Sequence, residues 1–247
     1  MVIEPLNEVG VYGGRWRRAN TTPGAISARV GAEPLVFYGR DWVTVEPNLA
    51  WKWDVGAEGR EYTFYLREDA LWSDGAPVTA ADFVCAWRRV LDRRNGSPSA
   101  SLLYDIRGGR AYHRGEIDDP ERLGLRALDE MTLQVELEGP AGYLPYLLTC
   151  CAAYPAPRHI VEAHGQAWAN PERLVTNGPF RLESWTPGQR LRLGRQDHWI
   201  GAAIGNVEGV DLALSLEHEA KMALYERDEL DILGLWEFSM QAAGTTA

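Results

Sequence analysis

Five histidines, three cysteines and 35 acidic residues are the groups from which this 247-residue chain could assemble a reactive centre. His159 and His164 are five apart, off-phase for one helical face, and His113, His198 and His218 stand isolated, so nothing has the spacing of a metal set. Asp74, Asp82, Glu116, Asp118 and Asp119 supply enough carboxylates for a glycosidase pair. That chemistry turns on separation in space, however, and any acidic protein offers as many such residues. Cys85, Cys150 and Cys151 cannot make a disulfide framework, because bridging demands a geometry that adjacent cysteines rarely meet; they read as small buried apolar groups. Walker loops, GxGxxG, CxxC, HExxH and GxSxG are all absent, which removes the common nucleotide, zinc and nucleophile-elbow readings. Asn20-Thr21-Thr22 and Asn95-Gly96-Ser97 match the glycosylation acceptor pattern, but three letters recur by chance. What remains is aromatic. Ten tryptophans, ten tyrosines and five phenylalanines exceed what a core alone usually needs, and such faces line sugar- and peptide-binding clefts; packing is the competing use.

The scaffold that must position these groups is an ordinary globular one, with 45% hydrophobic and 24% charged residues and no long low-complexity tract. A formal charge of -10 disfavours attraction to nucleic acid or anionic membrane. No stretch approaches the ~18 apolar residues of a membrane span, and the first twenty residues carry charges and glycines where an export signal would have an apolar run. An odd cysteine count fits a reducing compartment, and equally an exported protein whose core is large enough to need no staples.

Periodicity divides the chain into elements. Arg15 to Arg18 alternates as a strand, and Thr21 to Gly24 reads as a loop. The apolar run Leu35–Tyr38, the β-branched Val43-Thr44-Val45, the Trp51 to Trp53 stretch and Tyr62–Leu66 are expected strands. Thr79 to Asp82 matches a capping box, and Phe83, Val84, Trp87, Val90 and Leu91 form one apolar stripe, which predicts a helix. Leu125–Leu128 and Thr132–Leu137 predict a hairpin, and Tyr143 to Leu148 has helical spacing before Pro155 and Pro157 break the chain. Beyond them come a short helix from His159 to His164 and an alternating strand Phe180–Trp185 answered by Leu191–Leu193. Val210–Leu214, a helix from Glu217 to Arg227, and Leu230–Ile232 read as a β-α-β unit.

The run Tyr62-Thr-Phe-Tyr-Leu-Arg-Glu-Asp-Ala-Leu-Trp-Ser-Asp-Gly-Ala-Pro-Val-Thr-Ala-Ala-Asp-Phe83 closely resembles the hallmark of the oligopeptide- and dipeptide-binding solute-binding proteins, family 5, that serve ABC importers. The likeness continues through Trp87-Arg88-Arg89, Ser97 to Ser101, Leu123 to Asp129, Thr132 to Val135, Tyr154 to Pro157 and Val175 to Phe180. Val11 to Arg17 resembles the mature start of one branch of that family. The resemblance implies an α/β (mixed α+β) fold, a periplasmic-binding-protein-like type II (cluster C) lobe with an inserted β-rich subdomain. Residues 1–32 and 157–247 would form lobe I, and residues 33–156 the insert. Family members are two-lobed, with the second lobe expected to begin near Ser239, so the resemblance implies a fragment carrying one lobe of the clamp.

The implied function is capture of a peptide or related small polar ligand between two lobes and its delivery to the membrane subunits of an ABC permease, without a cofactor, a metal or covalent chemistry. The full-length protein would be periplasmic or extracellular and held to the membrane by a lipoprotein anchor. By the same resemblance the ligand-binding residues are Asn20, Thr21, Thr22 and Pro23 after the first strand, Ser99 in the Ser97–Ser101 loop, and Gly234, Leu235 and Trp236 after the last. Ser99 stands where the family's loop has an aromatic residue, and Asp228-Glu229-Leu230-Asp231 replaces a Gly-Glu-Ile-Asp pattern. The family also includes binders of nickel complexes, opines and oligosaccharides, so the ligand class stays open. Trp72, Asp74, Phe83 and Trp87, which carry the resemblance, read as architectural. Two alternatives are a ligand-sensing module of a larger regulator and a sugar-binding or glycoside-active protein.

Overall fold

The computed structural model describes residues 16–20, 32–39, 41, 43–56, 58–186, 189–197, 199, 207–213 and 218–233. Four strands rich in aromatic and branched residues build an antiparallel sheet: β4 (Ala50–Val55), β5 (Glu61–Leu66), β6 (Leu125–Ala127) and β7 (Thr132–Glu136). Their order is β4-β5-β7-β6, so the expected hairpin β6–β7 forms, and β7 also joins the sheet to β5. Gly124 permits the close approach at the start of β6, since a side chain there would run into the Glu136 carbonyl. Preceding this sheet, β2 (Val36–Tyr38) and β3 (Val45–Pro47) pair as a small ladder. Asp41 holds their turn by accepting from the Val43 and Thr44 N–H groups, and those bonds keep its carboxyl below the usual range.

The predicted helix is α1 (Ala80–Leu91), which packs against β6 and β7 with Phe83, Trp87 and Leu91 fully buried. Three shorter helices follow: α2 (Gly109–Arg114), α3 (Leu144–Leu147) and α4 (Arg158–His164). Two buried polar atoms are satisfied by long-range bonds that fix the packing. The Trp87 indole donates to the Ala153 carbonyl at 2.8 Å and the Tyr62 hydroxyl to the Ala141 carbonyl at 2.9 Å. One continuous apolar core results, running from Leu35 to Val161. The cysteines differ from the buried expectation: all three are half-buried, and none forms a disulfide.

A second sheet gathers strands from both ends of the described chain. It contains β1 (Trp16–Asn20), β8 (Phe180–Thr186), β9 (Arg190–Arg195), β10 (Gly209–Ala213) and β11 (Ile232–Leu233), in the order β11-β1-β10-β9-β8. β8, β9 and β10 are antiparallel neighbours, whereas β1 is parallel to both β10 and β11. The expected β-α-β unit thus exists as β10, α5 (His218–Glu226) and β11, but β1 lies between its two strands. β11 also begins two residues later than the pattern suggested, because Leu230 is a buried anchor outside the strand. Phe180, Leu191, Leu193, Val207, Val210 and Leu212 form this sheet's own core.

The two cores are tied by hydrogen bonds near the signature turn. The Ser73 N–H donates to the Thr176 carbonyl at 2.6 Å, and the Thr176 N–H donates to the Ser73 hydroxyl at 3.1 Å. Asn177 then meets the backbone of Glu33.

Candidate functional site

The sequence signature converges on one carboxylate. Asp82, only 3% exposed, accepts through Oδ2 from the Thr79 N–H at 2.8 Å, the Thr79 hydroxyl at 3.1 Å and the Trp72 indole at 3.2 Å. Its Oδ1 accepts from the Arg158 N–H at 2.8 Å, at the start of α4. Three donors share Oδ2 and one holds Oδ1, all of them from within the protein, and the residue is 3% exposed. The work of Asp82 is therefore to clasp the signature turn, the start of α1 and the start of α4 together.

Three of the other acidic candidates and one histidine have partners within the protein. Asp74 meets the His159 Nε2 at 2.7 Å and also accepts from the Ala76 N–H. Asp119 accepts from the Glu121 N–H, and Glu116 stands 3.9 Å from Arg114. His113 bonds the Leu91 carbonyl at 3.1 Å. Among the described residues no set of three His, Cys, Asp or Glu side chains is arranged for a metal ion, and no helix is long and apolar enough to cross a membrane.

The ligand-binding candidates fall in two places. Asn20 is the last residue of β1 and pairs in register with Leu233, the last residue of β11. Because the two strands are parallel, the chain leaves both at the same edge of the sheet. Thr21, Thr22 and Pro23 directly follow the first strand, and Gly234, Leu235 and Trp236 directly follow the second; all six lie outside the described residues. The carboxyl ends of parallel strands are where open α/β sheets bind ligands, since main-chain groups there have left the ladder. Ser99 is half-buried and lies just before the 3₁₀ turn Ala100–Leu103, whose Leu103 joins the first core. The loop that leads to it is braced: Gln166 donates to the Asn95 Oδ1 at 2.7 Å, and Asn95 donates to the Arg89 carbonyl at 2.8 Å.

A cavity of about 480 Å³ opens on the four-stranded region instead, lined by Glu58, Arg60, Glu61, Arg107, Glu136 and Glu138 among others. Its charges largely serve each other. Arg107 meets Glu136 at 3.0 Å, Arg60 meets Glu58 at 3.7 Å, and Glu138 accepts from the Gly108 N–H at 2.7 Å. Trp72 and Trp87 are buried and serve packing, whereas Trp51 is 56% exposed beside Tyr65, with Lys52 over both rings. Glu33, a buried acid, was not singled out by the sequence. A lone Glu before Pro34 gives no local sign of partners that lie at Asn48, Asn177 and Trp199.

Comparison with known proteins bears on this geometry. Residues 44–243 match the sequence model of bacterial extracellular solute-binding proteins, family 5, middle region. The dipeptide-binding protein DppE of Bacillus subtilis is 34% identical over 201 residues, covering 81% of this chain and 36% of that protein. The periplasmic oligopeptide-binding protein OppA of Salmonella typhimurium is 38% identical over 164 residues, 63% of this chain and 29% of that one. Among solved structures, the murein tripeptide binding protein MppA of Escherichia coli superposes with a TM-score of 0.81 at 27% identity, over 93% of this chain and 47% of that one. Haemophilus influenzae OppA in complex with the peptide RPPGFSPFR gives a TM-score of 0.77 at 26% identity, over 88% and 45%. The chain spans about a third of the length of these curated relatives and somewhat under half of the solved ones. The mixed helix-and-sheet architecture is thus that of type II periplasmic binding proteins.

Proposed function

The chain belongs to the bacterial extracellular solute-binding proteins of family 5, and from that premise we propose that it is one jaw of a peptide-capturing clamp. The ligand is a peptide or a related small polar molecule. It is gripped by main-chain groups after β1 and β11, in the segments Asn20–Pro23 and Gly234–Trp236, with Ser99 at its flank. Residues 1–32 and 157–247 form the gripping lobe, and residues 33–156 the insert that stiffens it. A second lobe closes over the ligand, and ABC permease subunits receive it. The protein works outside the cytoplasm, at the membrane through a lipoprotein anchor, and makes no covalent change to its ligand.

The observation that supports this reading is the register of Asn20 opposite Leu233, the last residues of two parallel neighbouring strands and the ones that immediately precede the two proposed segments in sequence. Extended ligands held by main-chain hydrogen bonds are recognised with little side-chain preference, which suits a peptide importer. Enclosure supplies the affinity. A polar ligand on one surface keeps half of its groups in water and gains little, whereas two surfaces together desolvate and satisfy it. Calorimetry of this chain against a peptide mixture, beside a version extended by a second lobe, tests the proposal. The extended version is expected to bind far more tightly. Equal affinity in both would refute the clamp.

A further inference from the structure

Segments remote in sequence converge on Glu33, which is 7% exposed. Its Oε2 accepts from the Asn48 amide at 2.8 Å and its Oε1 from the Trp199 indole at 3.2 Å. The backbone is pinned as well. The Glu33 N–H donates to the Asn177 Oδ1 at 2.9 Å, and the Asn177 amide returns a bond to the Glu33 carbonyl at 3.4 Å. Asn48 additionally donates to the Pro34 carbonyl at 2.8 Å. Glu33 runs directly into Leu35 and Val36 of the first core, while Asn177 precedes Phe180 of the second and Trp199 follows β9. The side chain therefore sits at the seam between the two cores.

The groups facing it are almost all neutral. From the β3–β4 side come Asn48 and, from the end of β5, Arg67; from the segment before β8, Asn177; from beyond β9, Trp199. Among the described residues Arg67 is the charge felt by Glu33, and its guanidinium is already held by Asp69 in two bonds of 2.8 Å and 3.1 Å. An ionised Glu33 is consequently a buried anion with two neutral donors and a cation shared with another acid.

We propose that Glu33 is a proton-linked pin: the seam between the two cores is tightest when the carboxyl carries a proton, and it loosens as the proton is lost. This inference stands on the seam and does not depend on ligand capture. Burial pushes the carboxyl up from 4.5 to about 7, against the lowering effects of Asn48, Trp199 and Arg67. The sign follows from linkage. Below about 4.5 the acid is protonated whether the seam is closed or open, and pH has no leverage. As pH rises towards 7 the opened form ionises first, so opening becomes steadily easier. Above about 7 both forms are ionised and the loss is complete. A displacement of this size corresponds to about two orders of magnitude in the opening equilibrium.

The test is the urea-unfolding equilibrium of the full 247-residue chain between pH 5 and pH 8.5, beside Glu33→Gln, which imitates the protonated acid. The native chain is expected to lose about two orders of magnitude in its folding constant over that range relative to the variant. Parallel pH profiles would overturn the proposal. Should Glu33→Gln fail to fold, Trp199→Phe keeps an aromatic ring but removes one donor to the carboxylate, so the midpoint of Glu33 titration, followed by carboxyl ¹³C resonance, is expected to move up. An unmoved midpoint, or a native carboxyl already ionised at pH 5.5, sinks the idea equally.

Discussion

The antiparallel sheet β4-β5-β7-β6 buries side chains from Leu35 to Val161 in one continuous core, whereas the five-stranded sheet has Phe180, Leu191, Leu193, Val207, Val210 and Leu212 among its described residues. The two regions also spend their polar groups differently. In the first, Asp82, Trp72, Trp87 and Tyr62 are all fully partnered within the protein. In the second, parallel strands β1 and β11 end together at Asn20 and Leu233. The comparison separates recognisability from function. Several of the residues that carry the resemblance, Trp72, Asp82, Phe83 and Trp87, are buried in the first core or bonded at its edge. Of those proposed to hold a ligand, Asn20 ends a strand and Ser99 precedes a 3₁₀ turn.

The largest expected effect breaks that comparison at the clasp. Asp82→Ala removes the acceptor for four donors at once and strands several of them in the interior. A loss of about 3–5 kcal/mol is expected, read from the urea midpoint. A loss under about 1 kcal/mol would mean that the signature is not architectural and that its conspicuousness needs a functional explanation. Next, Leu193→Ala tests the second core. Leu193 is fully buried, and truncating a buried leucine leaves a cavity, so about 2–3 kcal/mol is expected. Should this variant instead cost more than Asp82→Ala, the ranking of the two regions is reversed.

Asn177→Ala addresses the seam itself. It removes both bonds to the Glu33 backbone while leaving each core intact. About 1–2 kcal/mol is expected, together with a broadened or split thermal transition as the regions lose cooperativity. A single sharp transition, merely shifted, would show that Ser73 and Thr176 suffice to join them.

Much of the first region was legible because its signals are local. The stripe Phe83, Trp87, Leu91 and the carboxylate of Asp82 fall within one helix and its cap, and α1 forms as the spacing predicts. The hairpin β6–β7 was readable for the same reason. The position of β1 between β10 and β11 was not, since its partners lie some two hundred residues away and pairing order leaves no trace in periodicity. Glu33 is opaque on the same account: burial and remote partners at Asn48, Asn177 and Trp199, not its neighbours in sequence, make it unusual. As for the candidate ligand residues, resemblance supplied them, and only Asn20 and Ser99 fall within the described chain.

The smallest effect concerns the residue where the family's glycine is replaced. Asp228 has φ of 57°, in the left-handed region, just past the end of α5. The helix ends there with the Glu229 N–H donating to the Leu224 carbonyl at 2.9 Å and the Asp228 N–H to the Tyr225 carbonyl at 3.1 Å, a pairing that requires the turn. Glycine occupies this conformation without a Cβ penalty, while aspartate tolerates it at a cost. Asp228 is thus a strained helix cap. Asp228→Gly is expected to raise stability by about 0.5 kcal/mol, the relief of strain being partly offset by the greater freedom of glycine in the unfolded chain. Since α5 connects β10 to β11, the gain should appear as slower amide exchange across α5 and β11 and leave α1 unchanged. Equal slowing in both would mean that the two regions open as one unit, whatever their separate cores suggest.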